Sequence, residues 1–321
     1  MLIREAITQG SSDLKFAEID TPGLDSSLLL AHVLKTNRTS IIARGTEKLS
    51  EKECAAFCEL IERRAAGECV AYIIGKKEFM GLEFMVNKSV LVPRPDTEIL
   101  VETALEIIKK FLPRTSTNQH EHEEKCESFE PNTREPEVRC NSVSSVVNNL
   151  KILDLCTGSG AVCIALKHEK PEVEAWATDI CADALKVAKI NATNLLGDNQ
   201  IHFYQGDLFK ALPHSPSPVP FSLIISNPPY IPSGEIETLP AEVQHEPRLA
   251  LDGGKNGLEI IKRIIEESPL FLQIGGTLLM EADPRQMDEI SILLDKNGFQ
   301  DIQLFKDLSS SNRIIGARFE K

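Results

Sequence analysis

The chain has 321 residues, 42% of them hydrophobic and 26% charged, with a formal net charge of −13. That length suits about two domains of roughly 100–200 residues each, and no run approaches the roughly 20 consecutive apolar residues of a membrane span. The acidic balance argues against phosphate-driven, non-specific nucleic-acid binding, although it leaves room for a local basic groove.

At the N-terminus, MLIREAITQGSSDLKF is interrupted by Arg4, Glu5 and Asp13 and lacks the apolar run of a signal peptide, so a cytoplasmic location without membrane association is the default expectation. Residues 1 to about 75 read as helices. Asp25 is the expected N-cap of DSSLLLAHVL, and Ser50, with Glu53 at capping-box spacing, starts a helix that runs to Gly67. Nothing in this unit resembles a catalytic centre. Short strand-like pieces, EFMGLEFMVN and SVLVP, then predict a β-hairpin bridge, and a helix resumes near Asp96. From Arg114 to Asn149 the chain is rich in Ser, Asn, Glu and Pro with few aromatics. Such a composition buries too little surface to offset its ordering entropy and reads as a mobile insertion. The expected organisation is a helical domain at 1–75, a hairpin linker at 76–93, and a larger domain at 94–321 with the polar insertion at 114–149.

From Leu150 onward strands and helices alternate. LKILDL, VEAWATD, IHFYQGD and FSLIISN read as strands, with helices GAVCIALKHE and CADALKVAKINATNL after the first two. GLEIIKRIIEESPLFL is helical, GTLLMEA a strand, and PRQMDEISILLDKNG a helix with proline at its start and Gly298 at its end. FQDIQLFKDL and NRIIGARFE close the chain as a hairpin. This pattern predicts an α/β fold: a mostly parallel sheet covered on both faces, with an antiparallel C-terminal hairpin. There are eight cysteines and no CxxC pair, so reduced thiols packed as small hydrophobes are expected, and no metal site. The ligand-type residues from His120 to Cys126 fall inside the polar stretch and read as a solvated charged loop.

In an open α/β sheet, ligands bind beyond the carboxyl ends of the strands at the switch point. ILDLCTGSGAVCIAL puts Asp154 at the end of one strand and Gly158-Ser159-Gly160 in the turn before a helix. Glycines there let a ligand approach the backbone. Asp179 ends the next strand, where a carboxylate can accept from a ribose diol, and Asp207 follows the third, where an adenine can meet it. A dinucleotide dehydrogenase shares a glycine turn and a downstream acid, and a plain βα turn with surface acids is a further reading. Two details lean away from NAD: Cys163 stands where G-x-G-x-x-G has its third glycine, and Asp154 would repel a pyrophosphate. The same carboxylate is better placed beside the cationic amino-acid end of S-adenosyl-L-methionine.

Asn227-Pro228-Pro229-Tyr230 terminates the fourth strand on the same rim. The Asn227 side-chain carbonyl and the Pro228 backbone carbonyl can accept both N–H groups of a planar NH₂, and Tyr230 can stack on its plane. Two acceptors aimed at such a nitrogen favour the positive charge that develops as it attacks a methyl sulfonium. A proline-rich turn with a structural asparagine is the bland alternative, but its place behind a glycine turn and an acidic second strand favours function.

The chain resembles the HemK/PrmC family, the protein-(glutamine-N5) methyltransferases acting on peptide chain release factors. The resemblance runs through RRAAGECVAYIIGKKEFMGLEFMVNKSVLVPRPDTEILVE, DLCTGSGAV, ATDICADALKVAKINA, SNPPYIP and EPRLALDGGKNGLEIIKRII. Asn-Pro-Pro-Tyr is shared with adenine-N6 and guanine methyltransferases, whereas VPRPDTE singles out this family. The resemblance implies a class I S-adenosylmethionine-dependent methyltransferase fold, Rossmann-like, behind a helical substrate-recognition domain. It further implies cofactor contacts from Cys156, Thr157, Gly158, Ser159, Gly160, Asp179 and Leu208. A substrate glutamine would be held by Asn227, Pro228, Pro229 and Tyr230, with Asn227 facing both sites. Arg94 and Glu98 would either line the pocket or serve a structural salt bridge. The partner implied is a class-1 release factor, methylated at its Gly-Gly-Gln loop, and the oligomeric state expected by default is a monomer. Cys156 stands where the family usually has glycine, Glu281-Ala282-Asp283 where E-I-G is common, and the polar insertion is longer than usual. Two rival readings are a nucleic-acid amino-methyltransferase (adenine N6 or guanine N2) and a non-catalytic binding module of the translation machinery. No direct nucleic-acid contact is expected on the favoured reading.

Overall fold

The computed structural model describes residues 1–111, 150–213 and 220–320. The expected insertion at 114–149, with the His120 to Cys126 stretch, lies outside the described residues.

Five helices open the chain: α1 (Ile3–Phe16), α2 (Pro22–Val33), α3 (Arg38–Ala43), α4 (Glu51–Ala65) and α5 (Val70–Ile74). They enclose an apolar cluster of Ile3, Leu14, Leu29, Leu30, Ile41, Phe57 and Ile61. The Ser50 hydroxyl accepts from the Glu53 N–H at 3.2 Å while the Glu53 carboxylate accepts from the Ser50 N–H at 2.7 Å, so both halves of the capping box form. Asp25 is not an N-cap. Pro22 supplies the first turn of α2, where a missing N–H costs nothing, so the helix begins behind Thr21. Asp25 instead lies buried inside the unit, its carboxylate 2.7 Å from Arg64 Nε, both side chains only 6% exposed.

The hairpin consists of β1 (Lys76–Phe79) and β2 (Leu82–Met85), joined by Met80 and Gly81. Both linking residues have positive φ, 51° and 71°, as a two-residue type I′ turn requires. The Ser89–Pro93 piece read from sequence as a strand is irregular. Its Val90 and Val92 are buried against Tyr72, Val86, Ala184 and Val187. The backbone there is met by side-chain groups instead of a neighbouring strand: Val92 N–H donates to Glu246 and the Val90 carbonyl accepts from Tyr72.

After α6 (Pro95–Phe111) the sheet is built from β3 (Lys151–Leu155), α7 (Ala161–Glu169), β4 (Glu174–Asp179), α8 (Ala182–Leu196), β5 (Ile201–Gln205) and β6 (Phe221–Ser226). Two four-residue helices, α9 (Ala241–Gln244) and α10 (Arg248–Leu251), precede α11 (Glu259–Glu267), β7 (Leu272–Glu281), α12 (Met287–Lys296), β8 (Phe299–Lys306) and β9 (Asn312–Phe319). The seven strands lie in the order β5-β4-β3-β6-β7-β9-β8. All pairs from β5 to β7 are parallel, and β9 enters antiparallel between β7 and β8.

Strand residues alternate between two cores, which is why the central strands read as unbroken apolar runs. Ile152, Ala175, Leu223, Ile225 and Leu279 face α6 and α7. Leu153, Leu155, Trp176, Ile224, Leu278 and Met280 face Ile261, Ile264 and Ile265 of α11 and Ile290 and Leu294 of α12. At the outer edge, β8 shifts register between Gln300 and Gln303, with Asp301 at φ 50°. The order of strand addition reverses between β3 and β6, with β4 and β5 laid down on one side and β6 and β7 on the other, so the crevice beyond the carboxyl ends of β3 and β6 is the switch point.

Candidate active site

A cavity of about 330 Å³ opens at this switch point. Its wall includes Asp154, Cys156, Thr157, Gly158 and Ser159 from the end of β3 and the turn that follows, Thr178 and Asp179 from β4, and Asp207 and Leu208 after β5. Asn227 and Pro229, after β6, close the rim together with Arg94, just before α6, and Thr97, in its first turn. The loops deliver these residues because each parallel strand ends at the same edge.

The β3–α7 turn is held from below. Asp154 is buried; Thr157 Oγ1 donates to its carboxylate at 2.6 Å, and burial pushes the acid up to about 7. The structure thus adds a bracing role to the charge expected of Asp154. Asp179 accepts from the N–H of Gly158 and of Cys181, both at 2.8 Å, and burial raises it as well. Gly160 does not reach the cavity wall. It sits at φ 81°, where an added Cβ would come within 2.8 Å of Ile164 Cδ1 and 3.2 Å of Ala188 Cβ, so its smallness lets α7 pack against α8. A Cβ on Gly158, by contrast, would meet nothing within 4 Å, leaving that backbone bare to the cavity.

Cys156 adopts φ 60°, the left-handed region that glycine occupies without penalty. The turn therefore keeps the shape of a glycine turn although the residue is a cysteine. Leu208 likewise has φ 50° and is buried beside Phe209 and Leu212. Asp207 is not free to meet a ligand with its whole carboxylate: Arg263 Nη2 lies 2.7 Å away and holds the acid below its ordinary value.

The amide of Asn227 donates through Nδ2 to Thr97 Oγ1 at 3.2 Å. Thr97 Oγ1 donates to one oxygen of Glu281 at 2.7 Å, and the Tyr230 hydroxyl donates to the other at 3.1 Å. Glu281 is 2% exposed; burial raises its acid, while the Thr97 and Tyr230 hydrogen bonds and the charge of Arg313 oppose that shift. Pro228 is buried and Tyr230 half-buried, and neither belongs to the cavity wall.

Glu98 does not line the cavity. Successive helical residues are about 100° apart, so Thr97 faces the rim while Glu98 turns to the hairpin and accepts from the Met80 N–H at 2.8 Å. Arg94 lines the cavity and pairs with the buried Glu246. Thr97, Glu281 and Ile180, the last a half-exposed apolar wall residue, were not singled out from sequence as site residues. The only signal for Thr97 was its place inside VPRPDTE.

A seven-stranded sheet with one antiparallel strand let in near its end, a glycine turn after its central strand and an acid after the next define a class I methyltransferase fold. Comparison with known proteins agrees. The family described as the PrmC N-terminal domain matches residues 5–75, and a methyltransferase domain matches 147–311. The release factor glutamine methyltransferase of Coxiella burnetii is 36% identical over 316 residues, 98% of either chain. That of Deinococcus radiodurans is 33% identical over 318 residues, 99% of either chain. The chain belongs to this family of release factor glutamine methyltransferases, the PrmC family. Among solved structures, the catalytic domain of hMettl16 in complex with the MAT2A 3′UTR hairpin 6 aligns with TM-score 0.52 at 13% identity over 82% of each chain, a likeness of fold alone.

Proposed function

We propose that this protein transfers a methyl group from S-adenosyl-L-methionine to the side-chain amide nitrogen of the glutamine in the Gly-Gly-Gln motif of class-1 peptide chain release factors. The observation that carries the reading is the Asn227 amide: its NH₂ is taken by Thr97, which leaves Oδ1 as the group to meet a substrate NH₂ at the cavity rim. The full-length relatives bearing the name of that activity support the choice of substrate.

The wall suits the cofactor. Thr178 Oγ1, part of that wall, is the buried side-chain polar atom without a partner among the described residues. Asp154 and Asp179 complement a cation, the bare backbone around Gly158 admits close approach, and Ile180 and Leu208 offer apolar surface to a purine. When bound, the cofactor supplies a methyl carbon on a positively charged sulfur. Asn227 Oδ1 and the Pro228 carbonyl accept the two N–H groups of the glutamine amide and stabilise the charge that grows on nitrogen. Holding the nitrogen in line with the methyl carbon adds the proximity contribution. The methyl group would pass from sulfur to nitrogen, the C–S bond breaking as the N–C bond forms, and the glutamine nitrogen, acidic once methylated, would release its proton to water, so no strong base is required of the protein beforehand. Residues 1–75 would receive the release factor, 76–93 would link the two parts, and 94–321 would carry the chemistry. Arg94, held by Glu246, stiffens the linker beside the rim.

Incubation with labelled S-adenosylmethionine tests the reading, using a class-1 release factor, its glutamine-to-alanine variant, and a mixture of DNA and RNA. Label on the factor and not on the variant is the expected result. Label on nucleic acid alone would replace the substrate, and no label despite cofactor binding would replace the enzyme with a binding module.

A further inference from the structure

We infer that Thr97 and Glu281 are positioning residues that fix which end of the Asn227 amide faces the substrate. The inference rests on the proposed reading for its consequence, but its geometry stands independently. In its ionised form, which the hydrogen bonds from Thr97 and Tyr230 and the charge of Arg313 favour against burial, Glu281 can only accept, and both its oxygens are engaged: one by the hydroxyl of Thr97, the other by that of Tyr230. Thr97 has a single hydroxyl proton, already given to Glu281. Its oxygen can therefore only accept, and the group of Asn227 that faces it at 3.2 Å must be the NH₂.

Polarity passes from β7 through the first turn of α6 to the end of β6, three elements that meet only in the folded chain. In the reversed amide, Oδ1 would face Thr97 Oγ1 with no proton between two acceptors, and the NH₂ would be turned toward a substrate NH₂. Solvent cannot repair that mismatch, since Thr97 is 4% exposed and Glu281 2%. Leaving buried groups unpaired carries the full cost of their desolvation. Glu281 thus orients two residues of the Asn-Pro-Pro-Tyr motif: Tyr230 directly and Asn227 through Thr97.

Thr97→Val removes the hydroxyl at nearly constant volume, and Thr97→Ser keeps it. Release factor methylation is measured for both, with cofactor affinity by calorimetry and exchange of the Asn227 side-chain amide protons by NMR. The valine variant is expected to lower kcat about 10- to 100-fold, the factor that corresponds to losing one buried hydrogen bond, while cofactor affinity stays as in the parent. Serine restores most of the rate. Glu281→Leu is expected to lose at least as much as the valine variant, and adding Thr97→Val to it lowers the rate no further. Full kcat in the valine variant, failure of serine to rescue, or independent losses in the pair would overturn the inference. Should the parent protein leave release factors unmethylated, the proposed function falls and the NMR reading still judges the relay. Slow exchange in parent and serine variant with fast exchange in the valine variant upholds it, and equal exchange in all three refutes it.

Discussion

Arg64 joins the helical unit to itself and to the segment behind Asn-Pro-Pro-Tyr, so its replacement by methionine is an informative perturbation. In the parent protein Arg64 Nε meets Asp25 at 2.7 Å with both side chains 6% exposed, Nη1 meets the Glu68 carbonyl at 3.2 Å, and Nη2 meets Glu242 of α9 at 2.8 Å. Arg64→Met leaves Asp25 buried with only the Thr21 hydroxyl, 2.9 Å away, as partner. Removing one member of a buried pair costs about 3–5 kcal/mol. Glu242 is 45% exposed, so Glu242→Gln should cost less than about 1 kcal/mol. Neutralising both members, Asp25→Asn with Arg64→Met, should recover most of the loss, because no uncompensated charge remains. Urea unfolding measures these values, with circular dichroism following all helices and fluorescence following Trp176, the single tryptophan, packed on Tyr204 within the sheet. A helical unit that melts early would separate the two signals. A loss below about 1 kcal/mol for Arg64→Met, or a double variant as unstable as the single one, would refute the reasoning.

Asn227→Ala should abolish methylation while sparing release factor binding in a pull-down; unaltered turnover would remove Asn227 from the chemistry. Asp154, pushed up to about 7 by burial, holds a proton in the folded chain that the unfolded chain has released. Its contribution to stability is therefore present below about pH 4 and lost as pH climbs to about 7. Because a cation prefers the ionised acid, S-adenosylmethionine should bind more tightly as pH rises through 7, with proton release visible by calorimetry in buffers of different ionisation enthalpy; pH-independent binding would contradict this. Gly160→Ala, which combines a positive φ with the contact to Ile164, should lower stability by about 2–4 kcal/mol in thermal unfolding, and an unchanged transition would show that α7 and α8 can separate.

Much of the sheet is legible in the sequence because buried parallel strands are apolar on both faces, as in LKILDL and FSLIIS, and each ends at a residue with chemical character. The misreadings have physical causes. Ser89–Pro93 has the β-branched, apolar look of a strand, but its Val92 N–H is satisfied by a carboxylate more than 150 positions away, which no local pattern announces. Asp25 looks like a cap because caps and buried acids share a residue type, and only Arg64 in space distinguishes them. Glu98 draws attention as one of the charged residues of VPRPDTE, yet helical phase gives the rim to its smaller neighbour Thr97. Glu281 ends an ordinary-looking strand; its importance lies in two hydroxyls brought to it from α6 and from the turn after β6. The four-residue helices α9 and α10 are too short to leave a periodic signature.

The kinked outer strand has a consequence for how the molecule behaves in a crowd of its own kind. A straight, flat, apolar edge offers unpaired backbone groups as a template for the next chain. In β8 the register shift at Gln300–Gln303 and the left-handed Asp301 twist the strand out of a regular ladder, and most of its side chains, Lys306 among them, are turned to water. The antiparallel hairpin that completes the sheet thereby also guards its margin, and aggregation by strand addition finds no regular edge there to copy.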